Sequence, residues 1–140
     1  MKKQIAIAAA VLFFAVQITA AQTPAVKLST EEKRVAFAAK NLLNGLQSGN
    51  TGVIESAMRL TALMTMRYPA ADVNNLVEAI NTISMTHPNG STRYKAYITL
   101  SICQNPEWYA GETSIIGADE ENFFRAASAR LQTQLLSVNE

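Results

Sequence analysis

The sequence predicts an all-α fold, and three observations carry that prediction. Apolar residues recur at steps of three and four in five successive segments, and each segment opens on a residue able to cap a helix. Glycine or proline punctuates the gaps, and no segment sustains the alternation of a β-strand. The 140-residue chain divides into residues 1–21, a short lead at 22–28, and a single helical domain at 29–140, close to the commonest domain size.

The first division reads as a signal peptide. Met1-Lys2-Lys3 is a positively charged start, and Ile5 to Val16 is a charge-free, mostly aliphatic run of the right length. Thr19 and Ala21 fill the −3 and −1 places of a cleavage site, leaving Gln22 as the first mature residue, and a cut after Ala20 fits nearly as well. A membrane anchor is the weaker reading, because a bilayer-spanning helix needs ~20 apolar residues and Gln17 and Thr19 interrupt the end of this run. No cysteine stands nearby to accept a lipid. The expectation is a periplasmic or secreted protein that touches the membrane only through its leader, before cleavage.

After the lead, Ser29 and Glu32 have the spacing of a capping box. The first helix follows with the stripe Val35, Ala38, Ala39, Leu42, Leu43 and Leu46, and Gly45 and Gly49 bring it towards its end. Asn50 or Thr51 can cap a second helix. Its apolar residues Val53, Ile54, Ala57, Met58, Leu60, Leu63, Met64 and Met66 cover most of the circumference, so it requires neighbours on two sides. Pro69 closes that helix, and Asp72 is the expected cap of a one-faced third helix bearing Val73, Leu76, Val77, Ile80 and Ile83.

His87-Pro88-Asn89-Gly90 is turn chemistry, after which Ser91 or Thr92 is expected to cap a fourth helix. Its stripe is Tyr94, Tyr97, Ile98, Ser101 and Ile102, with Ala96, Leu100 and Cys103 beside it, and it stops before Pro106. Gly111 to Ala118 reads as an irregular loop tucking Ile115-Ile116 onto the core. Asp119-Glu120-Glu121 then opens a fifth helix, favourably for its dipole, with Phe124, Ala127, Leu131 and Leu135 inward.

Composition excludes several classes of function. The chain has 12 Lys+Arg and 11 Asp+Glu, and removal of Lys2 and Lys3 leaves 10 against 11, a charge of −1. Along the chain no Lys/Arg cluster survives cleavage, so nucleic acid is not an expected partner. Cys103 is the only cysteine, so no intramolecular disulfide forms, and a buried helical site without a basic neighbour suits core packing better than nucleophilic chemistry.

His87 is the only histidine, has no ligand-spaced partner, and reads as a solvent-exposed turn residue. Met58, Met64, Met66 and Met85 fit helical stripes better than a copper surface. Glu31, Glu32 and Asp119 to Glu121 are explained by helix first turns, leaving Glu55 and Glu78 as isolated helical acids. No metal, cofactor or catalytic residue is therefore assigned, and the chain is not expected to be an enzyme. A hydrolase is the least favoured reading.

The first and third helices align without gaps, Asn41-Leu42-Leu43-Asn44-Gly45-Leu46 against Asn75-Leu76-Val77-Glu78-Ala79-Ile80, at an offset of 34. Ser56-Ala57-Met58 then corresponds to Lys95-Ala96-Tyr97. On these residues the stretch from Asn41 to Trp108 resembles the HEAT-like (armadillo-type) helical repeats, in the form of small exported bacterial proteins. Typical units carry a proline in the first helix, whereas Pro69 and Asp72 stand at a junction between helix pairs. The resemblance implies a short stack of two antiparallel helix pairs with the fifth helix capping its exposed end. An irregular five-helix bundle is the alternative.

The resemblance also implies contact through a helix face rather than chemistry. The expected function is a non-enzymatic protein–protein interaction module, an adaptor or chaperone-like accessory of the periplasm or envelope. A small-molecule or lipid-binding protein, with its pocket between the helix layer and the Gly111–Ala118 loop, is the alternative. Candidate partner contacts are Trp108 and Tyr109, adjacent aromatics after a helix, with Arg93 and Lys95 as accompanying charges expected at the same helix end. Trp108 also suits a lid over a small core.

Overall fold

A computed structural model describes residues 28–137, so the expected signal peptide and most of the lead lie outside the described residues. Among the described residues the fold is all-helical, without strands: α1 (Thr30–Leu46), α2 (Thr51–Arg67), α3 (Asn74–Thr86), α4 (Gly90–Gln104), a 3-10 turn (Pro106–Trp108), α5 (Thr113–Ile116) and α6 (Glu120–Ser137). None of these helices is long and apolar enough to cross a membrane.

Local chemistry sets the helix starts. Ser29 and Glu32 form the expected capping box, the Ser29 hydroxyl accepting from Glu32 N at 3.2 Å and the Glu32 carboxylate from Ser29 N at 2.6 Å. Asn50 caps α2 by accepting from Val53 N at 3.2 Å. Two expected caps shift. Val73, not Asp72, holds the N-cap place of α3, and Asp72 accepts from Asn74 N at 3.1 Å just ahead of it. At α4 Asn89 caps instead of Ser91 or Thr92, accepting from Ser91 N at 2.8 Å and Thr92 N at 3.2 Å. The helix therefore begins two to three residues earlier, at Gly90.

Short connections bring each helix back along its predecessor. Gly49 carries the α1–α2 turn at φ +73°, a backbone region open to glycine at little cost. Gly45 is the second-last residue of α1, as its place near the helix end suggested, and lies against Ala57 of α2. A Cβ there would stand 3.1 Å from Ala57 Cβ, so its missing side chain permits the close approach.

The main contacts run in a circuit, with α1 against α2 and α3, and α4 against α2 and α3. Helix α6 then lies over α4 and α2 together, so it forms a third layer on that pair rather than a lid on one end. The core along these seams is Ile54, Ala57, Met58 and Ala62 of α2, Leu76, Ile80 and Ile83 of α3, Ala96, Ile98 and Ile102 of α4, and Phe123, Phe124, Ala127 and Leu131 of α6. Phe123 and Phe124 meet edge to face at 5.1 Å. Burying each such large apolar side chain contributes about 1.5–3 kcal/mol.

Other expectations are refined by packing. In α1 only Leu46 is buried, and Val35, Ala38, Ala39, Leu42 and Leu43 are half-buried. The loop after Gly111 contains α5, which packs on α6 with Ile115 inward and Ile116 outward. Leu135 is half-exposed beyond the buried part of α6, and Met85 is exposed rather than packed.

Candidate functional site: the tyrosine face of α4

The Asn89 cap sets the phase of α4, and Arg93 secures the turn before it by donating from Nη1 to the carbonyls of His87 at 2.6 Å and Pro88 at 3.1 Å. His87 is half-buried in that turn and its Nδ1 accepts from Asn89 N at 3.2 Å. In this phase Ala96 and Thr99 face the core while Tyr94 and Tyr97 stand half in solvent, at 50% and 54% exposure. Thr99 satisfies its buried hydroxyl by donating to Lys95 O at 2.9 Å.

Tyr94 is tied to α6 by a 2.5 Å bond between its hydroxyl and that of Ser128. Behind it, the hydroxyls of Ser101 and fully buried Tyr109 are 2.7 Å apart. Burial pushes the Tyr109 phenol up from its ordinary value; the Ser101 bond offsets part of this, and the nearby Tyr97 and Tyr94 hydroxyls add to the rise. Tyr94 and Tyr97 thus stand half in solvent on α4, while Tyr109 is fully buried and held by Ser101.

The four expected contact residues do not form one surface. Tyr109 is a core residue, because the 3-10 turn after α4 swings it under Ser101. Trp108 is half-buried, and its carbonyl accepts from Arg130 Nε at 2.7 Å, which fastens the turn to α6. Arg93 and Lys95 lie at the N-terminal end of α4, roughly 15 Å along the helix from its C-terminal end. They do not share an end with Trp108.

Lys95 faces inward. Its Nζ is 2.5 Å from Glu55 Oε2, and Thr92 donates to Glu55 Oε1 at 2.8 Å. The ammonium also lies 5.3 Å from the centre of the Phe124 ring. Glu55 is thus no isolated acid; it joins α2 to α4. Ser56 bonds Glu120, and Arg59 donates to Ala118 O at 2.6 Å, extending this polar seam to α6. Within the seam Lys95 and Glu55 pair with each other, Glu120 is held by Ser56 and Arg59 by the Ala118 carbonyl, and the buried Arg59 Nε has no hydrogen-bond partner among the described residues.

Cys103 is half-buried beside Thr65, with 3.6 Å between sulfur and hydroxyl, and burial raises its thiol pKa above the ordinary value. It is held in the thiol form, as a small core residue is. Among the described residues no group of three or more His, Cys, Asp or Glu is placed to hold a metal ion.

Where a ligand pocket was expected, α5 packs on α6. An open groove of about 500 Å³ lies elsewhere, between the start of α1 and the α2–α3 connection, with Leu28, Val35, Tyr68 and Pro69 among its apolar lining and Glu31, Arg67 and Asp72 among its charges.

No family model, no curated protein and no solved structure matches this chain.

Proposed function

We propose that the protein is a non-enzymatic interaction module of the periplasm or envelope, exported by its N-terminal segment and built as a short HEAT-like stack. The α1–α3 and α2–α4 contacts support the stack, since they place equivalent helices of the two pairs side by side. So do the aligned pairs Leu46 and Ile80, and Ala57 and Ala96, all of which are buried. The next aligned pair differs: Met58 is fully buried and its counterpart Tyr97 is half-exposed. A stack that stops after its second pair leaves such a position open to a partner.

The observation that carries the reading is the half-exposed Tyr94–Tyr97 pair on α4. Tyrosine is enriched at interface centres because it offers a large contact area and a polar tip at small entropic cost. Here Tyr94 is already immobilised by Ser128, so little ordering remains for a partner to impose. A ligand-binding reading rests separately on the groove beside Tyr68 and Pro69, whose volume falls in the range of small-molecule sites.

The test places a photo-crosslinking phenylalanine analogue at Tyr97 and, as a control, at exposed Met85 on α3, in cells that make the protein. One protein adduct at position 97, absent at 85 and lost on Tyr94→Ser, is the expected result. Identical adducts at both positions, or none at 97, would end the interaction reading for this face.

A further inference from the structure

Along the sequence the cations of α1 look scattered, and no basic cluster is expected. The helix gathers them. At 3.6 residues per turn, Lys33, Phe37 and Lys40 fall within about 60° of one another and Arg34 lies about 60° further round. This face is opposite Ala39, Leu42, Leu43 and Leu46, the α1 residues that pack on the core shared with α2 and α3. The acids of α1 are elsewhere: Glu31 lines the groove beside the α2–α3 connection and Glu32 is held in the capping box.

All four residues of the face are exposed. The three cations have no hydrogen-bond or ion-pair partner among the described residues, in contrast to Lys95 and Arg130. At their centre Phe37 stands 67% exposed, a large aromatic that the fold leaves uncovered. Three unpaired cations around one uncovered aromatic suit a surface that is anionic outside and apolar beneath.

We infer that this face of α1 docks the protein peripherally on an anionic phospholipid surface. Lys33, Arg34 and Lys40 would attract the headgroups while Phe37 enters the boundary between headgroup and acyl chain. An acidic protein fits less well. The face is convex and belongs to a single helix, so it offers a partner no cleft, whereas laterally mobile lipid headgroups need no fixed register to meet three spread cations. Helix α1 lies at the edge of the molecule, packing on α2 and α3 alone among the main contacts, so its outer side can rest on a plane. The Tyr94–Tyr97 face is on α4, across the α1–α2–α4–α3 circuit, and lipid binding does not occupy it.

The experiment is co-sedimentation with vesicles of phosphatidylglycerol mixed with phosphatidylcholine, at low ionic strength, beside vesicles of phosphatidylcholine alone. Protein comes from an exporting host, its N-terminus read by mass spectrometry so that parent and variants are matched. The parent is expected to partition onto the anionic vesicles only, and high salt to release it. Lys33→Gln, Arg34→Gln, Lys40→Gln together reduce partition about 100-fold, and Phe37→Ser reduces it about ten-fold. A control removing Arg67 and Arg125, exposed on other helices, leaves partition nearly unchanged, which separates the face from net charge. Because all these positions are exposed, circular dichroism melts should coincide. Failure of the parent to bind, or equal binding by the triple variant, overturns the inference. Retention on poly-glutamate without binding to the vesicles also overturns it and assigns the face to an acidic protein.

Discussion

Helices α1 and α4 are both striped with apolar residues, yet the fold uses them differently. Seven of the fifteen residues of α4 are buried, and one of the seventeen of α1. Helix α4 is enclosed by α2, α3 and α6, while α1 meets two helices and faces solvent with the rest. The stripe on α1 is the more regular, but regularity reports only which side turns inward. Depth depends on how many other elements arrive.

The largest expected effect tests this difference directly. Ile98→Ala in α4, at a fully buried position, should cost about 3–4 kcal/mol by denaturant unfolding. Leu42→Ala in half-buried α1 should cost about 1–2 kcal/mol, because water already reaches part of the side chain. Equal losses would show that α1 is packed as deeply as α4 and would remove the contrast.

A smaller effect concerns the polar seam that holds α4 to α2. Lys95→Met leaves Glu55 with only Thr92 as partner in a mostly buried place. It should cost about 2 kcal/mol, given that removing one partner of a fully buried pair costs about 3–5 kcal/mol and this pair is partly solvated. Glu55→Leu and Thr92→Val combined with Lys95→Met should cost less than Lys95→Met alone, since neither a charge nor the buried Thr92 hydroxyl is then stranded. A triple variant worse than the single would mean that the pair contributes net stability beyond mutual neutralisation.

The smallest effect lies at alkaline pH. The raised pKa of Tyr109 means that its phenol stabilises the fold fully below the ordinary tyrosine value, and that this contribution is lost as pH rises through the folded value. In a spectrophotometric titration Tyr109 should ionise above the ordinary tyrosine range, and Tyr109→Phe should remove that late step and flatten the alkaline fall in stability. A titration that Tyr109→Phe leaves without loss of a late step would show that Tyr109 is not enclosed.

Legibility followed sequence distance. The Ser29–Glu32 box spans three residues and could be read directly. The cap of α4 was harder, because Asn89, Ser91 and Thr92 can all cap; Asn89 prevails in a turn that Arg93 also fastens. The Glu55–Lys95 pair is separated by forty positions, and no local pattern announces it. Trp108 and Tyr109 are adjacent in sequence, yet one turn of 3-10 helix decides that the tyrosine is the buried one. Of the candidate site, Tyr94 and Tyr97 were legible only as members of an apolar stripe; their exposure depends on where α6 comes to rest.

By itself the sequence determined that the domain is helical, roughly where its helices start and stop, and which side of α1 and α3 turns inward. Periodicity, capping and proline act within a few residues, so one dimension suffices for them. Only the tertiary structure decided that α6 covers α2 and α4 together, that Lys95 faces Glu55, and that Tyr109 is enclosed while Tyr97 is open. Those outcomes depend on which surfaces meet across long stretches of chain, where burial and pairing are shared between helices and are properties of neither alone.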